Sequence, residues 1–254
     1  MSALWRYICP GGRMTEMKTL TAAQIRQIMT TYKTLGILGK KGSGKSVVIA
    51  SCADALPEVI VFDMLGVYNP EAQYKTAVIP KSRYYENPTA FINKFDNSKL
   101  KKHVINFSAV KPSELIAEAD KICEFILNHA KKTTGKLYVL VDEVADIAPE
   151  RGKISDNFHF LVKNGRNYGI FVIMASQRPQ GVDKSVLELC DGYLLSGQNG
   201  NRTIEEIVKI TNSEDRRHTE TILRELPERT FLFVHENENE PYKIPTYKNA
   251  FKQH

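Results

Sequence analysis

The chain has no paired-cysteine signature. Its four cysteines, Cys9, Cys52, Cys123 and Cys190, are widely separated and include no C-x-x-C pair, which argues against a disulfide framework and against a zinc site. They read as plain core or surface thiols. Long apolar runs are also missing. The longest, such as Gly169-Ile170-Phe171-Val172-Ile173-Met174-Ala175, fall far short of the ~20 residues that a membrane-crossing helix needs. The first residues lack the charged-then-apolar layout of a signal peptide, so no membrane insertion is expected and the expected location is the cytoplasm. Internal repeats are absent, and the one biased stretch, Glu236-Asn237-Glu238-Asn239-Glu240, reads as a solvated turn rather than a cation site. No large charge excess is present either: a net charge of +6 permits a polyanionic partner without requiring one. With 254 residues, 42% of them hydrophobic and 25% charged, the chain has room for one α/β domain with a sizeable core and little for a second catalytic module.

What the chain does have is a phosphate loop. Gly39-Lys40-Lys41-Gly42-Ser43-Gly44-Lys45-Ser46 fits G-x-x-x-x-G-K-[ST] at every fixed position. The preceding Thr34-Leu35-Gly36-Ile37-Leu38 is an apolar run suited to a buried parallel strand, and Val47-Val48-Ile49-Ala50 continues as a helix would. An ordinary glycine-rich turn would not need those flanks. The glycines let successive backbone N–H groups turn inward as an anion nest at a helix N-terminus. ATP is the expected nucleotide, with Lys45 reaching its β- and γ-phosphates and Ser46 ligating Mg²⁺.

Strand and helix patterns alternate along the rest of the chain. Thr21 to Tyr32 reads as a helix with Thr21 as N-cap, and the segment before it, carrying Pro10-Gly11-Gly12, reads as an arm. Glu58 to Asp63 and Lys102 to Phe107 read as strands, and Ser113 opens an amphipathic helix that carries Leu115, Ile116, Ala119, Ile122, Cys123, Ile126, Leu127 and Ala130 on one face. Leu137 to Val141 and Ile170 to Ala175 are two more apolar strands. The final strands, Arg229 to Val234 and Tyr242 to Pro245, should form a hairpin around a polar turn at Glu236 to Pro241. Such alternation implies an α/β fold: a mostly parallel central sheet with helices on both faces and ligands beyond the carboxyl ends of the strands.

The strand at 137–141 delivers Asp142-Glu143. A site that hydrolyses a triphosphate needs one carboxylate for the metal and another to orient or deprotonate the attacking water. Asp142 suits the first task and Glu143 the second. An Asp-Glu pair can also merely terminate a strand; the phosphate loop upstream is what favours the chemical reading.

Asn164-Gly165-Arg166-Asn167-Tyr168-Gly169 leads into Ile170 to Ala175 and then Ser176-Gln177-Arg178-Pro179; Val182-Asp183, Val186-Leu187, Cys190-Asp191 and the strand Gly192 to Ser196 follow. From about Leu35 to Val234 the chain resembles the HerA/FtsK superfamily of ring-forming DNA-pumping ATPases, in which a G-R-x-x-G segment precedes a strand ending in A-[ST]-Q-R-P. The resemblance implies a RecA-like P-loop NTPase core. It makes Gln177 the sensor between the γ-phosphate and the moving parts, and Arg166 an arginine finger reaching into a neighbour's site. Read without the resemblance, Gln177 could cap a strand end and Arg166 could be a solvent-facing helix-end cation. One departure stands out: family members of the HerA branch read D-x-x-G-E-Y after the second strand, where this chain has Asp63-Met64-Leu65-Gly66-Val67-Tyr68, so Val67 replaces the glutamate.

The resemblance divides the chain into an N-terminal arm and helix, 1–32, and a motor domain, 33–254. It lacks the barrel, membrane segments and winged-helix modules of cellular members, and so is most like the short genome-packaging ATPases of viruses and phages. The expected function is an ATP-driven, double-stranded DNA translocase working as a homo-oligomeric ring of five or six subunits in the host cytoplasm, with a viral portal or capsid vertex as a possible partner. Sequence-independent contact with phosphates is expected. Arg151 and Lys153, flanking Gly152 after the Asp-Glu strand, are the favoured grip, with Lys81-Ser82-Arg83 and Lys99 to Lys102 as alternatives. Two other readings share these motifs: a cellular or plasmid DNA pump for segregation, conjugation or repair, and a nucleotide-binding switch that moves no DNA. A small-molecule kinase is disfavoured, because it would not require the Gly-Arg and Gln-Arg-Pro elements.

Overall fold

The computed structural model describes residues 6–8, 14–16, 18–70, 77–211, 216–235 and 238–243. Cys9, Pro10 to Gly12 and the end of the expected last strand, Ile244-Pro245, lie outside them. A short antiparallel pair, β1 (Arg6–Ile8) and β2 (Met14–Glu16), precedes β3 (Lys18–Thr19) and α1 (Ala22–Thr31). Thr21 caps α1 as expected: its hydroxyl accepts the Gln24 N–H, and the Gln24 side chain answers the Thr21 N–H, a reciprocal box that satisfies two otherwise orphaned donors.

Then come β4 (Thr34–Leu38), α2 (Lys45–Ala55), β5 (Val59–Asp63), β6 (Arg83–Tyr85), α3 (Pro88–Lys94), β7 (Lys102–Asn106) and α4 (Pro112–Ala130). The second half holds β8 (Leu137–Asp142), α5 (Asp156–Asn164), β9 (Ile170–Ser176), α6 (Lys184–Leu187) and β10 (Gly192–Ser196). It ends with α7 (Asn201–Ile210), α8 (Arg216–Glu225), β11 (Thr230–His235) and β12 (Glu238–Lys243).

Ten strands form one sheet in the order β3-β12-β11-β10-β4-β9-β8-β5-β7-β6. From β10 to β6 every pairing is parallel; β11 and β12 turn antiparallel beside β10. Strand side chains alternate between two cores. On one face Val139, Val141, Val172 and Met174 pack with Ile122, Ile126, Phe158 and Leu223. On the other Leu140, Phe171 and Ile173 pack with Ile25, Met29, Val48 and Ile49. Thus α1 shares a core with α2, and the remaining helices of that list cover the opposite face. This is the α/β sheet with helices on both faces and a C-terminal hairpin that the sequence leads one to expect.

The hairpin differs in one respect. The expected polar turn at Glu236 to Pro241 is too long: β12 starts at Glu238, and the register His235↔Glu238 leaves only two residues between the paired ends. Charge misled the reading here, since strands near a sheet edge accept polar residues that a central strand would not.

Register decides where chemistry can occur. Asp63 lies opposite Asp142, Asp142 opposite Ala175, and Ser176 opposite Leu38. The carboxyl ends of β5, β8, β9 and β4 therefore form one row, and β4 runs directly into the phosphate loop. At the other end, Asp191 accepts the backbone N–H groups of Lys33 and Thr34 at 2.7 and 2.9 Å, fixing where β4 begins.

Candidate nucleotide and metal site

The loop between β4 and α2 is a cradle built from backbone. Gly42 and Gly44 adopt left-handed angles, φ 79° and 100°, which a side chain would strain. Gly39 is needed for space: a Cβ there would sit 2.3 Å from Ser196 Oγ and 2.6 Å from Ser43 Oγ. Ser43 Oγ is itself buried without a hydrogen-bond partner, an orphaned polar atom of the kind a bound oxyanion would satisfy. Lys40 and Lys41 are exposed at the mouth. Lys45 is buried and folds inward, donating to the carbonyls of Gly39 at 2.7 Å and Lys40 at 3.2 Å. Burial lowers its pKa, while the Glu143 and Asp142 carboxylates pull it back up. The cradle fits phosphate.

A hard-oxygen pair stands beside it. Ser46 Oγ, in the first turn of α2, donates to Asp142 Oδ2 at 2.9 Å. Asp142 is only 1% exposed, and burial raises its pKa against the hydroxyls of Tyr68 and Ser46 that stabilise the charged form. A hydroxyl and a carboxylate oxygen are the donor set that Mg²⁺ takes from a protein beside phosphates, so these two residues fit that ion.

Glu143 follows with backbone angles φ 78° and ψ 71°, an uncommon conformation for a residue with a side chain. Its N–H bonds to Ala175 O, and its carboxylate accepts Ser176 Oγ at 2.8 Å and the Gln177 N–H at 3.2 Å. Burial pushes its pKa up; the bonds from Ser176 and Gln177 oppose that. Its carboxylate therefore spans β8 and β9 at the strand ends.

Lys45, Ser46, Asp142, Glu143 and Gln177 thus meet at one end of the sheet. Arg166 does not join them. It lies on a 3₁₀ turn, Gly165–Tyr168, at the amino end of β9 and is exposed. Seven residues of strand separate the two ends, roughly 20 Å, so this arginine cannot reach the phosphate loop of its own chain. Gly169, φ 75°, closes the turn so tightly that a Cβ would lie 2.3 Å from Gly135 O. Asp120 anchors the segment from α4, accepting Ser155 Oγ, the Asn157 N–H and Asn157 Nδ2, each at 2.8 Å. Arg151 and Lys153 are exposed on the loop between a Pro149–Val182 bridge and the Ser155 cap of α5. Arg178 is exposed as well.

Two residues of the site had no role in the sequence reading. Ser176 stood in the Ser-Gln-Arg-Pro run without one. Tyr68 lies in the segment after β5, next to Val67, whose backbone N–H is donated to Asp63. The Tyr68 hydroxyl donates to Asp142 Oδ2 at 2.8 Å.

No family model matches the chain. Protein P9 of Pseudoalteromonas phage PM2 is 27% identical over 180 residues, which cover 69% of this chain and 74% of P9. Among solved structures, the genome packaging NTPase B204 from Sulfolobus turreted icosahedral virus 2 in complex with AMPPCP superposes with a TM-score of 0.64 at 15% identity, over 84% of this chain and 98% of B204. VirB4 of Thermoanaerobacter pseudethanolicus gives 0.61 at 13% identity, over 86% and 91%. The chain shares the fold of B204 and VirB4, an α/β P-loop NTPase fold. Within that fold the phosphate loop, Asp142 and Gln177 of this chain stand at the carboxyl ends of adjacent strands. Among the described residues, no helix is long and apolar enough to cross a membrane.

Proposed function

We propose that the chain is an ATP-driven translocase of double-stranded DNA that works as a homo-oligomeric ring and packages a viral genome. The observation that carries this reading is the single row of Lys45, Ser46, Asp142, Glu143 and Gln177 at the ends of β4, β8 and β9. A viral packaging NTPase that shares the fold, and phage protein P9 as a sequence relative, support the viral setting. In this reading residues 33–254 form the motor domain, and 1–32 are the arm and helix that precede it, with β3 joining its sheet and α1 its core. The protein acts in the host cytoplasm, where a portal or capsid vertex receives the DNA.

The loop N–H groups of Gly39 to Ser46 bind the phosphates of ATP, and Lys45 exchanges the carbonyls of Gly39 and Lys40 for β- and γ-phosphate oxygens. Ser46 and Asp142 hold Mg²⁺, which when bound neutralises charge on the phosphates. Glu143 orients the attacking water and takes its proton; a carboxylate whose pKa burial has raised is a better proton acceptor near neutral pH. Gln177 senses the γ-phosphate and passes its state to Glu143 through the backbone bond they share. Arg166 acts on the next subunit's site, because it lies at the far end of its own sheet. Arg151 and Lys153 grip DNA phosphates.

The test is ATP hydrolysis by the assembled protein with and without duplex DNA of unrelated sequences, paired with displacement of a triplex-forming strand from that duplex. A translocase shows DNA-stimulated turnover and ATP-dependent displacement, both lost in Lys45→Ala. Steady hydrolysis that ignores DNA and displaces nothing would leave the nucleotide switch as the better reading.

A further inference from the structure

The segment that returns from β5 carries a second hydroxyl to the metal carboxylate. Asp63, fully buried at the end of β5, accepts the N–H groups of Val67 at 2.9 Å and Tyr68 at 3.0 Å, which folds residues 63–68 into a closed turn. The turn delivers the buried Tyr68 ring across to β8. There its hydroxyl donates to Asp142 Oδ2 at 2.8 Å and lies 3.3 Å from the Ser46 carbonyl oxygen. Ser46 Oγ meets the same Oδ2 at 2.9 Å. Two hydroxyls from two different elements therefore converge on one carboxylate oxygen.

A buried tyrosine hydroxyl needs some partner, and most find a backbone carbonyl or a structural side chain. Here the partner is the acid assigned to the metal. We propose that Tyr68 is a positioning residue for the metal site: its hydroxyl holds the Asp142 carboxylate in the rotation that presents an oxygen to Mg²⁺, while Ser46 turns its own oxygen to the ion. The inference rests on the reading that Ser46 and Asp142 hold Mg²⁺. Its physical basis is that a metal ligand needs an outer partner to fix its orientation, and loss of such a partner lowers metal affinity by ~10–100-fold. It also gives the 63–68 turn a task that does not involve position 67. Val67 gives the turn its backbone N–H, a bond that any residue except proline can supply, and packs its side chain against the core, so the turn keeps its shape without a glutamate there.

Binding rather than turnover is the readout. The affinity of fluorescent ADP is measured in EDTA and across a Mg²⁺ titration for wild type, Ser46→Ala, Asp142→Asn, Tyr68→Phe and the Asp142→Asn/Tyr68→Phe pair. Tyr68→Phe should leave affinity in EDTA unchanged and raise the Mg²⁺ concentration needed for the metal-dependent gain by about tenfold. In the Asp142→Asn background it should add nothing, because the effect runs through Asp142. An unshifted Mg²⁺ titration in Tyr68→Phe, or an equal effect in both backgrounds, overturns the inference while leaving the metal site intact. If Ser46→Ala and Asp142→Asn do not change the Mg²⁺ dependence, the metal site itself is wrong and the inference falls with it. Should Tyr68→Phe lose its cooperative melt, Asp63→Asn carries the test: it replaces one acceptor of the turn with an amide NH₂, displaces the phenol without deleting it, and should shift the Mg²⁺ titration the same way.

Discussion

At the carboxyl ends of β4, β8 and β9, functional groups answer one another within the chain: Lys45 to its loop carbonyls, Ser46 and Tyr68 to Asp142, Ser176 and Gln177 to Glu143. The amino end of β9 is arranged otherwise. Arg166 has no ion pair or hydrogen bond with another side chain among the described residues, and beside it Phe160 and Tyr168 are 38% and 36% exposed with their rings 6.3 Å apart. Arginine and aromatic residues are both enriched in protein interfaces relative to the rest of a surface. On the proposed mechanism, one end holds most of a catalytic centre and the other a cation that has no side-chain partner among the described residues. Closed rings bring such unlike faces together.

The sharpest way to break that contrast is to remove Arg166. In the trans reading Arg166→Ala lowers turnover by at least about 10³-fold, and mixing it with Glu143→Gln subunits restores part of the ATPase activity, because some interfaces then pair an intact Glu143 with an intact Arg166. Normal hydrolysis by Arg166→Ala alone removes the finger. Next in size, Glu143→Gln keeps ATP bound and loses turnover by ~10²–10⁴-fold, whereas Lys45→Ala weakens binding itself; equilibrium binding of labelled ATP beside steady-state rates separates the two. Equal rates in wild type and Glu143→Gln, both folded, would strip the strand-end acid of its role.

A smaller effect is expected from the loop after β8. Arg151→Ala combined with Lys153→Ala should weaken binding to all duplexes alike and flatten the slope of log affinity against log salt by about 2; an unchanged slope moves the grip to Lys99 to Lys102. The last prediction gives a control on a strand that is not adjacent to β4, β8 or β9. His103 is buried on β7, meets Tyr85 and Asn97, and burial lowers its pKa to about 4. Its folded pKa is therefore below the unfolded value, so the unfolded chain binds the extra proton. Stability from this group is fully present above about pH 6.5 and is lost as pH falls towards 4, by as much as about 3 kcal/mol. Denaturant melts of wild type and His103→Gln across that window should diverge, with nucleotide affinity per folded molecule unaffected.

The parts of this molecule legible in the sequence are those fixed by neighbours in the chain. The N-cap at Thr21, the apolar strands 137–142 and 170–176, and the phosphate loop depend on local spacing, and they fall within a residue or two of where the sequence places them. The acids were readable for the same reason. What escaped depends on register between distant strands. Nothing in the run Asp63 to Tyr68 announces that β5 pairs with β8 so that Tyr68 lands on Asp142, and nothing in Ser176 announces that β9 separates β8 from β4 and carries a hydroxyl to Glu143. The start of β12 was missed because four residues, Glu238 to Pro241, look like a turn when the strand they pair with is out of view.

Glu143 holds its left-handed backbone at a cost on the order of 1–3 kcal/mol. Glycine would adopt the same angles almost without strain, and asparagine with less of it. In the proposed mechanism, folding and catalysis therefore pull position 143 in opposite directions. A lineage released from the need to hydrolyse ATP would be expected to drift to glycine there and become sturdier as it did so, so that the residue at this one position records whether a descendant still works as an engine.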